Sequence, residues 1–313
     1  MRRGSKNRRR VATILERLPR EGRVGVIRLR SLGDCVLTTP ALDILKRSRP
    51  DLRVAVVVED RFRAVFEDNP DVDQILPPRP GALRGWRPDL CVNLHGGARS
   101  AWMALFSGAR WRAGFAHFRH QFVYNLRIPR AQEILGVERK VHTAEHVASA
   151  MFWLGAKPVE IPRAKLAAPA PAPRASALAA IHPVAATPEK TWRADGFLAV
   201  AEHLKRSGME PIFIGASGDD LFPFRAYRVL SGAALAEVKQ LLAASALFVG
   251  NDSGPAHMAA AFGVPSVVIF GASDPAIWGP WRTPSQVVSA PGGIARVEAA
   301  QVLEALARLR VAA

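Results

Sequence analysis

Short apolar runs alternate with amphipathic stretches along most of the chain. The run 24–29 is almost wholly apolar and ends in the turn Arg30-Ser31-Leu32-Gly33. From Asp34 onward the apolar positions of 36–46 recur at helical spacing. Valine-rich 53–58 predicts a second strand, 61–67 a short helix, and 74–76 a third strand before a loop holding Pro77, Pro78 and Pro80. Strands at 90–94 and 112–115 and helices at 97–106 and 143–154 continue the pattern. Fully apolar strands that alternate with helices predict a parallel sheet covered on both faces.

The Ala-Pro alternation of 167–174 interrupts this order. Such a segment favours an extended, semi-rigid conformation and cannot sit inside a sheet. Beyond it the alternation restarts, with strands at 179–182, 211–215, 247–250 and 266–271. Helices are predicted at 196–207, 235–243, 255–262 and 294–309. The expected organisation is a basic tail (1–22, with a short helix at 11–18), a first α/β lobe (23–165), an Ala/Pro linker (166–177), a second α/β lobe (178–295) and a last helix (296–313). Two such lobes enclose a cleft. Ligands of such sheets bind beyond the carboxyl ends of the strands.

Composition narrows the function classes. The 43 Lys+Arg against 27 Asp+Glu give a net charge of +16, which draws the protein toward an anionic partner: nucleic acid, an acidic membrane face or a phosphorylated substrate. The chain lacks zinc-finger spacings, basic-zipper heptads and RNP aromatics, so no specific nucleic-acid module is expected. Two cysteines, Cys35 and Cys91, make no disulfide framework and fit a reducing cytoplasm. Neither an apolar run of spanning length nor a secretory h-region is present.

Three loops carry chemistry. In the first, Asp34 suits a helix N-cap and equally suits a general base at the cleft mouth, kept ionised by Arg30, with Gly33 letting another molecule approach. In the second, His182-Pro-Val-Ala-Ala-Thr187-Pro-Glu-Lys190-Thr-Trp192, the lysine is a compact charge suited to a phosphate oxygen, and Trp192 is read as packing. The third, Gly250-Asn-Asp252-Ser253-Gly254-Pro255-Ala-His257, sets Ser253 as N-cap and Pro255 in the first turn. Its free N–H groups and dipole form an anion site. His142-Thr-Ala-Glu145-His146 has a zinc-like spacing but no third ligand; a solvated helix start or a substrate contact is the preferred reading, and no metal is expected.

The segments 27–42 (Ile-Arg-Leu-Arg-Ser-Leu-Gly-Asp-Cys-Val-Leu-Thr-Thr-Pro-Ala-Leu), 248–261 (Phe-Val-Gly-Asn-Asp-Ser-Gly-Pro-Ala-His-Met-Ala-Ala-Ala) and 270–280 resemble glycosyltransferase family 9, the ADP-heptose:lipopolysaccharide heptosyltransferases. Asn93-Leu-His95-Gly-Gly97 and His182-Pro followed by Lys190-Thr-Trp192 support the likeness. The resemblance implies the GT-B architecture: two Rossmann-like lobes with parallel sheets facing a central cleft, acceptor on the first, nucleotide-sugar donor on the second, and a C-terminal helix crossing back. It makes Asp34 the base of a single, inverting displacement. Lys190, Thr187, Asp252, Ser253, Gly254 and His257 fall on the donor side, and Arg30, Ser31, Gly33, Asn93 and His95 on the acceptor side.

It further implies a nucleotide-sugar co-substrate, ADP-heptose first, with no cofactor and no metal. The acceptor would be a phosphorylated glycolipid at the inner leaflet, met by a cytoplasmic or peripherally membrane-bound protein. The sequence departs from the family pattern at Val184-Ala-Ala186, where a Gly-Ala-Ser-like turn is usual, and at Arg193, where a proline often follows the tryptophan. After Gly215-Ala-Ser-Gly-Asp-Asp220 the usual helix is nearly absent, since Pro223 interrupts and 227–230 already reads as strand. Asp219 is a candidate donor contact there. The shortened segment after Asp220 leaves a UDP- or GDP-linked donor on the same fold as one alternative; a non-catalytic basic protein bound to nucleic acid or membrane is another, from a different class.

Overall fold

The structure, a computed structural model, describes residues 12–168 and 175–309. Residues 1–11 of the basic tail, half of the Ala/Pro linker (169–174) and the last four residues therefore lie outside the described residues. Of the tail helix expected at 11–18, the turn α1 (Ile14–Arg17) is described; Thr13 caps it by accepting from the Glu16 N–H.

Each lobe holds a six-stranded sheet whose neighbouring strands all pair in parallel. The first comprises β1 (Arg23–Ile27), β2 (Arg53–Val57), β3 (Gln74–Leu76), β4 (Leu90–Asn93), β5 (Trp111–Phe115) and β6 (Leu126–Ile128), in the order β3-β2-β1-β4-β5-β6. The second comprises β7 (Ala175–His182), β8 (Glu210–Gly215), β9 (Arg228–Ser231), β10 (Ser245–Asn251), β11 (Ser266–Ile269) and β12 (Ser285–Val288), in the order β12-β11-β10-β7-β8-β9. Counted from its own first strand, the second sheet repeats the order of the first. Both are doubly wound, and each reverses direction between its first and fourth strands, where a crevice opens at the carboxyl ends. Apolar strands such as Val54–Val57, fully buried, explain why the runs read as continuous rather than alternating.

The helices refine the sequence expectations. The single helix predicted over 36–46 is two: α2 (Leu32–Val36) and α3 (Thr39–Ser48). Pro40 has no N–H to continue the earlier helix, and the hydroxyls of Thr38 and Thr39 take up the carbonyls of Asp34 and Val36 at 2.8 Å each. The predicted 61–67 helix is a 3-10 turn, Asp60–Val65. The Pro-rich loop hides α4 (Pro80–Trp86), followed by α5 (Ala98–Leu105), the unpredicted α6 (Ala131–Leu135) and α7 (Thr143–Leu154). In the second lobe stand α8 (Ala194–Arg206), α9 (Leu235–Ala244), α10 (Gly254–Ala261), the unpredicted α11 (Pro275–Trp278) and α12 (Ala299–Arg308). Between β8 and β9 only the 3-10 turn Phe222–Phe224 forms.

The expected return of the last helix to the first lobe is corrected. The helix predicted over 294–309 breaks into a 3-10 turn, Ile294–Arg296, and α12, which packs on α8 and β12 of its own lobe. Val302, Ala305, Leu306 and Leu309 bury into the second lobe's core beside Phe197 and Val288. Other contacts join the lobes. Lys239 on α9 donates to the Ala64 carbonyl at 2.9 Å, Lys140 pairs with Asp274 at 2.6 Å, and the Trp281 indole donates to the Pro162 carbonyl at 2.9 Å. Among the described residues no helix is long and apolar enough to cross a membrane.

Candidate active site

The three chemistry-bearing loops leave β1, β7 and β10, the strands at the two reversal points, so the fold itself brings them together. They line one cleft of about 590 Å³ between the lobes, whose walls include Ser31, Gly33, Asp34, Lys190, Asp252, Ser253, Gly254 and His257.

Asp34 is the third residue of α2, whose N-cap is Ser31. One carboxylate oxygen accepts from the Ser31 hydroxyl at 3.1 Å and the Ser31 N–H at 3.4 Å; the other accepts from the Arg28 guanidinium at 3.2 Å. The cation beside the carboxylate is therefore Arg28, not Arg30, which is exposed. Arg28 is buried at the carboxyl end of β1, with Nε donating to Thr38 Oγ1 at 3.1 Å. Burial pulls its pKa down while the charge of Asp34 pulls it up. A charged residue inside the apolar run 24–29 was the available signal for this partner.

Across the cleft, Asp252 accepts from the Lys190 ammonium at 3.2 Å and from the Ser273 hydroxyl. Ser253 is the N-cap of α10, and its hydroxyl pairs with His182 Nδ1 at 3.0 Å. Asn251 holds both ends of the lysine loop, accepting from the Trp192 N–H at 3.0 Å and donating to the Pro183 carbonyl at 2.9 Å. Trp192 is buried and donates to the Val297 carbonyl at 2.8 Å, so it packs, as expected. His182, quoted in the second loop without a role, joins the site, as do Ser273, Phe62 and Trp278, to which no role was assigned; Asp219 also reaches the cleft wall.

Several expected ligand residues have other places. Thr187 caps the 3-10 turn Pro188–Lys190 and faces a neighbouring hollow with Pro188 and Thr191 rather than the cleft. Asn93 is fully buried; it donates to Ser100 at 3.0 Å and Tyr124 at 2.6 Å, and accepts from the N–H groups of His95 and Gly96. It shapes the loop and touches no open space. His95 is half-buried and hydrogen-bonds the Arg30 backbone, bracing the base loop from behind; burial and Arg28 push its pKa down. The glycines line the cleft. A Cβ on Gly33 would meet the His257 ring at 2.5 Å, and one on Gly254 would meet Leu32 at 2.6 Å. Each glycine of the cleft wall thus also seats a side chain of the opposite lobe.

The His142–His146 motif is a lobe contact, not a solvated helix start. His142 caps α7, with Nδ1 accepting from the Ala144 N–H at 3.1 Å and Nε2 bonding the Gly279 carbonyl at 2.8 Å. Its ring stacks on Trp281 at 4.6 Å, while Glu145 is gripped by Arg139 and His146 stacks on Phe115 at 4.0 Å. Among the described residues no group of three His, Cys, Asp or Glu could hold a metal. Burial pushes the thiols of Cys35 and Cys91 up to about 12, which removes them as nucleophiles.

Burial also pushes His146, His182 and His257 down to about 4, although Asp252 and Asp34 draw His257 up and Asp219 draws His182 up. These rings are neutral at pH 7. Because the folded values lie below the ordinary 6.5, the unfolded chain binds more protons between them. Their contribution to stability is complete above about pH 6.5 and lost as the pH falls toward 4. Melting temperature should drop between about pH 7.5 and about pH 5, on either side of the ordinary histidine value of about 6.5, and the drop should shrink in His146→Gln or His182→Gln variants.

Similarity to known proteins bears on the fold and the family. The chain is 25% identical to a lipopolysaccharide heptosyltransferase 3 of Escherichia coli, over 81% of this chain and 84% of that one. A crystal structure described as the glycosyl transferase family 9 from Veillonella parvula superposes with a TM-score of 0.80 at 22% identity, covering 93% of this chain and 98% of that chain. The E. coli heptosyltransferase WaaC with ADP gives 0.76 at 18% identity, covering 92% and 99%. These likenesses place the fold among GT-B heptosyltransferase structures. The sequence model of "Glycosyltransferase family 9 (heptosyltransferase)" matches residues 81–303, more than two thirds of the length. The chain belongs to glycosyltransferase family 9, the heptosyltransferase family, and is a glycosyltransferase.

Proposed function

We propose that this enzyme transfers a heptose, with inversion, from ADP-heptose to a lipopolysaccharide-core acceptor, and that Asp34 is the general base. One observation carries the reading: Asp34 on the first lobe and the Lys190–Ser253 anion site on the second line the same cleft. In the step, the acceptor hydroxyl gives its proton to Asp34 as its oxygen bonds the anomeric carbon. The bond from that carbon to the diphosphate oxygen breaks, and the electron pair leaves with the nucleoside diphosphate. Negative charge grows on the leaving group, where the Lys190 ammonium and the free N–H groups opening α10 stabilise the transition state more than the ground state. Positive charge comes from these groups, and the reading assigns no metal or other cofactor. His257 Nδ1 is buried without a hydrogen-bond partner among the described residues, a bond that a donor oxygen would supply.

Relatives named lipopolysaccharide heptosyltransferases and a neighbour solved with ADP support heptose, ADP and the core acceptor. Such an acceptor places the enzyme on the cytoplasmic face of the inner membrane. Family membership sets aside the non-catalytic basic protein. The short β8–β9 connection favours one second reading, a UDP- or GDP-linked donor, because that connection flanks the donor lobe's open edge. A thermal-shift panel of ADP, UDP and GDP separates them. The true nucleotide at about 100 times its dissociation constant should stabilise by about 2.7 kcal/mol. A response to UDP or GDP above that to ADP would replace the ADP assignment.

A further inference from the structure

One surface of the first lobe has no part in the cleft chemistry. On α5 and the turn Gln121–Val123, Trp102, Phe106 and Phe122 are 46%, 55% and 64% exposed. They form one patch: Trp102 stacks on Phe106 at 6.0 Å between centroids and meets Phe122 edge-on at 6.5 Å. Single exposed apolar residues are ordinary; three contiguous aromatics mark a contact surface. The helix is split by face. Ser100, Ala101, Met103 and Ala104 turn into the lobe, while Arg99, Trp102 and Phe106, spaced three and four apart, share the outer face.

The formal charge of this stretch of chain has one sign, although Arg99 pairs with Glu59 of another segment at 3.7 Å. Between Asp89 and Glu133 the chain has six arginines (99, 110, 112, 119, 127 and 130) and neither Asp nor Glu. Arg99, Arg110, Arg119 and Arg127 are exposed. A second copy of the chain would press this arginine rim against itself, which disfavours a symmetric dimer here. An anionic lipid surface satisfies both components, with aromatic rings at the headgroup level and arginines on the phosphates. The patch also lies on the helix that follows the loop bracing the Asp34 turn. Helix α5 starts directly after the His95-Gly96-Gly97 loop, and Phe118 packs so closely on Gly96 that a Cβ there would lie 2.7 Å from its ring.

We infer that Trp102, Phe106 and Phe122, with Arg110 and Arg119, dock the first lobe on an anionic bilayer. The link between this surface and the acceptor rests on the proposed glycolipid acceptor; the binding itself does not, and vesicle sedimentation involves no sugar donor. Full-length protein is sedimented with vesicles of about one-third phosphatidylglycerol in phosphatidylcholine and with pure phosphatidylcholine vesicles. The wild type should partition onto the anionic vesicles and not onto the neutral ones. A Trp102→Ser/Phe106→Ser/Phe122→Ser variant should lose at least about tenfold in partitioning. Its melting temperature and its transfer to a deacylated, water-soluble acceptor should be unchanged.

Arg110→Glu/Arg119→Glu, which leaves the aromatics in place, should lose binding as well and serves as the deciding variant if the triple variant melts early. Wild-type protein that stays in solution with anionic vesicles, or an Arg110→Glu/Arg119→Glu variant that binds them as well as the wild type, overturns the inference. So does a triple variant whose only change is to convert a dimer to a monomer. Absence of sugar transfer with vesicle binding intact would instead strike the proposed reaction and leave the docking surface standing.

Discussion

Asp34→Asn should lower sugar transfer by about 10²–10⁴-fold, the range lost with a positioned general base, while leaving nucleotide affinity within about twofold of wild type. The separation is expected because Asp34 lies on the first lobe, bonded to Arg28 and Ser31, whereas the anion site lies wholly on the second. At 1.36 kcal/mol per decade the loss corresponds to about 3–5 kcal/mol of transition-state stabilisation. The variant also leaves the Arg28 guanidinium, with its side chain 7% exposed, without its carboxylate, so melting temperature should fall. Steady-state rates with saturating donor, alongside calorimetric titration of the nucleotide, distinguish the two effects. Undiminished turnover would move the base elsewhere.

Lys190→Ala should cost on the order of 10²–10³ in kcat/KM and weaken nucleoside-diphosphate binding. Its ammonium, one third exposed, already neutralises the nearly buried Asp252. Removing it takes a cation from the diphosphate and also leaves the Asp252 charge facing the phosphates. The double variant Lys190→Ala/Asp252→Asn should therefore bind the nucleotide more tightly than Lys190→Ala alone. A purely additive or worse double variant would show that Asp252 has another duty, such as holding Ser273 in place.

Much of this site was legible because strand ends, Gly/Pro punctuation and capping residues are local features. Ser253 at an N-cap, Pro255 in the first turn and Gly263 after the helix marked α10 to within a residue. The short β8–β9 connection was likewise announced by Pro223. What failed was either weakly patterned or non-local. The edge strands β6 and β12 are three and four residues long and carry too little alternation to be seen. The helix α4 begins Pro-Gly and holds a second glycine, so its composition resembles a loop. Arg28 and Arg30 both flank the base loop, and only the burial of β1 decides that Arg28 turns inward. Asn93 kept the right neighbourhood but is buried behind the cleft, since the sequence does not disclose that Tyr124 arrives from a distant segment.

Gly33 and Gly254 also bear on how dry the reaction chamber is. Each leaves a notch filled by a side chain from the opposing jaw, His257 in one and Leu32 in the other. A methyl group on either glycine would collide with that side chain, at 2.5 Å from His257 or 2.6 Å from Leu32. In the proposed transfer, a seam closed in this way leaves less room for water to compete with the acceptor's oxygen at the anomeric carbon.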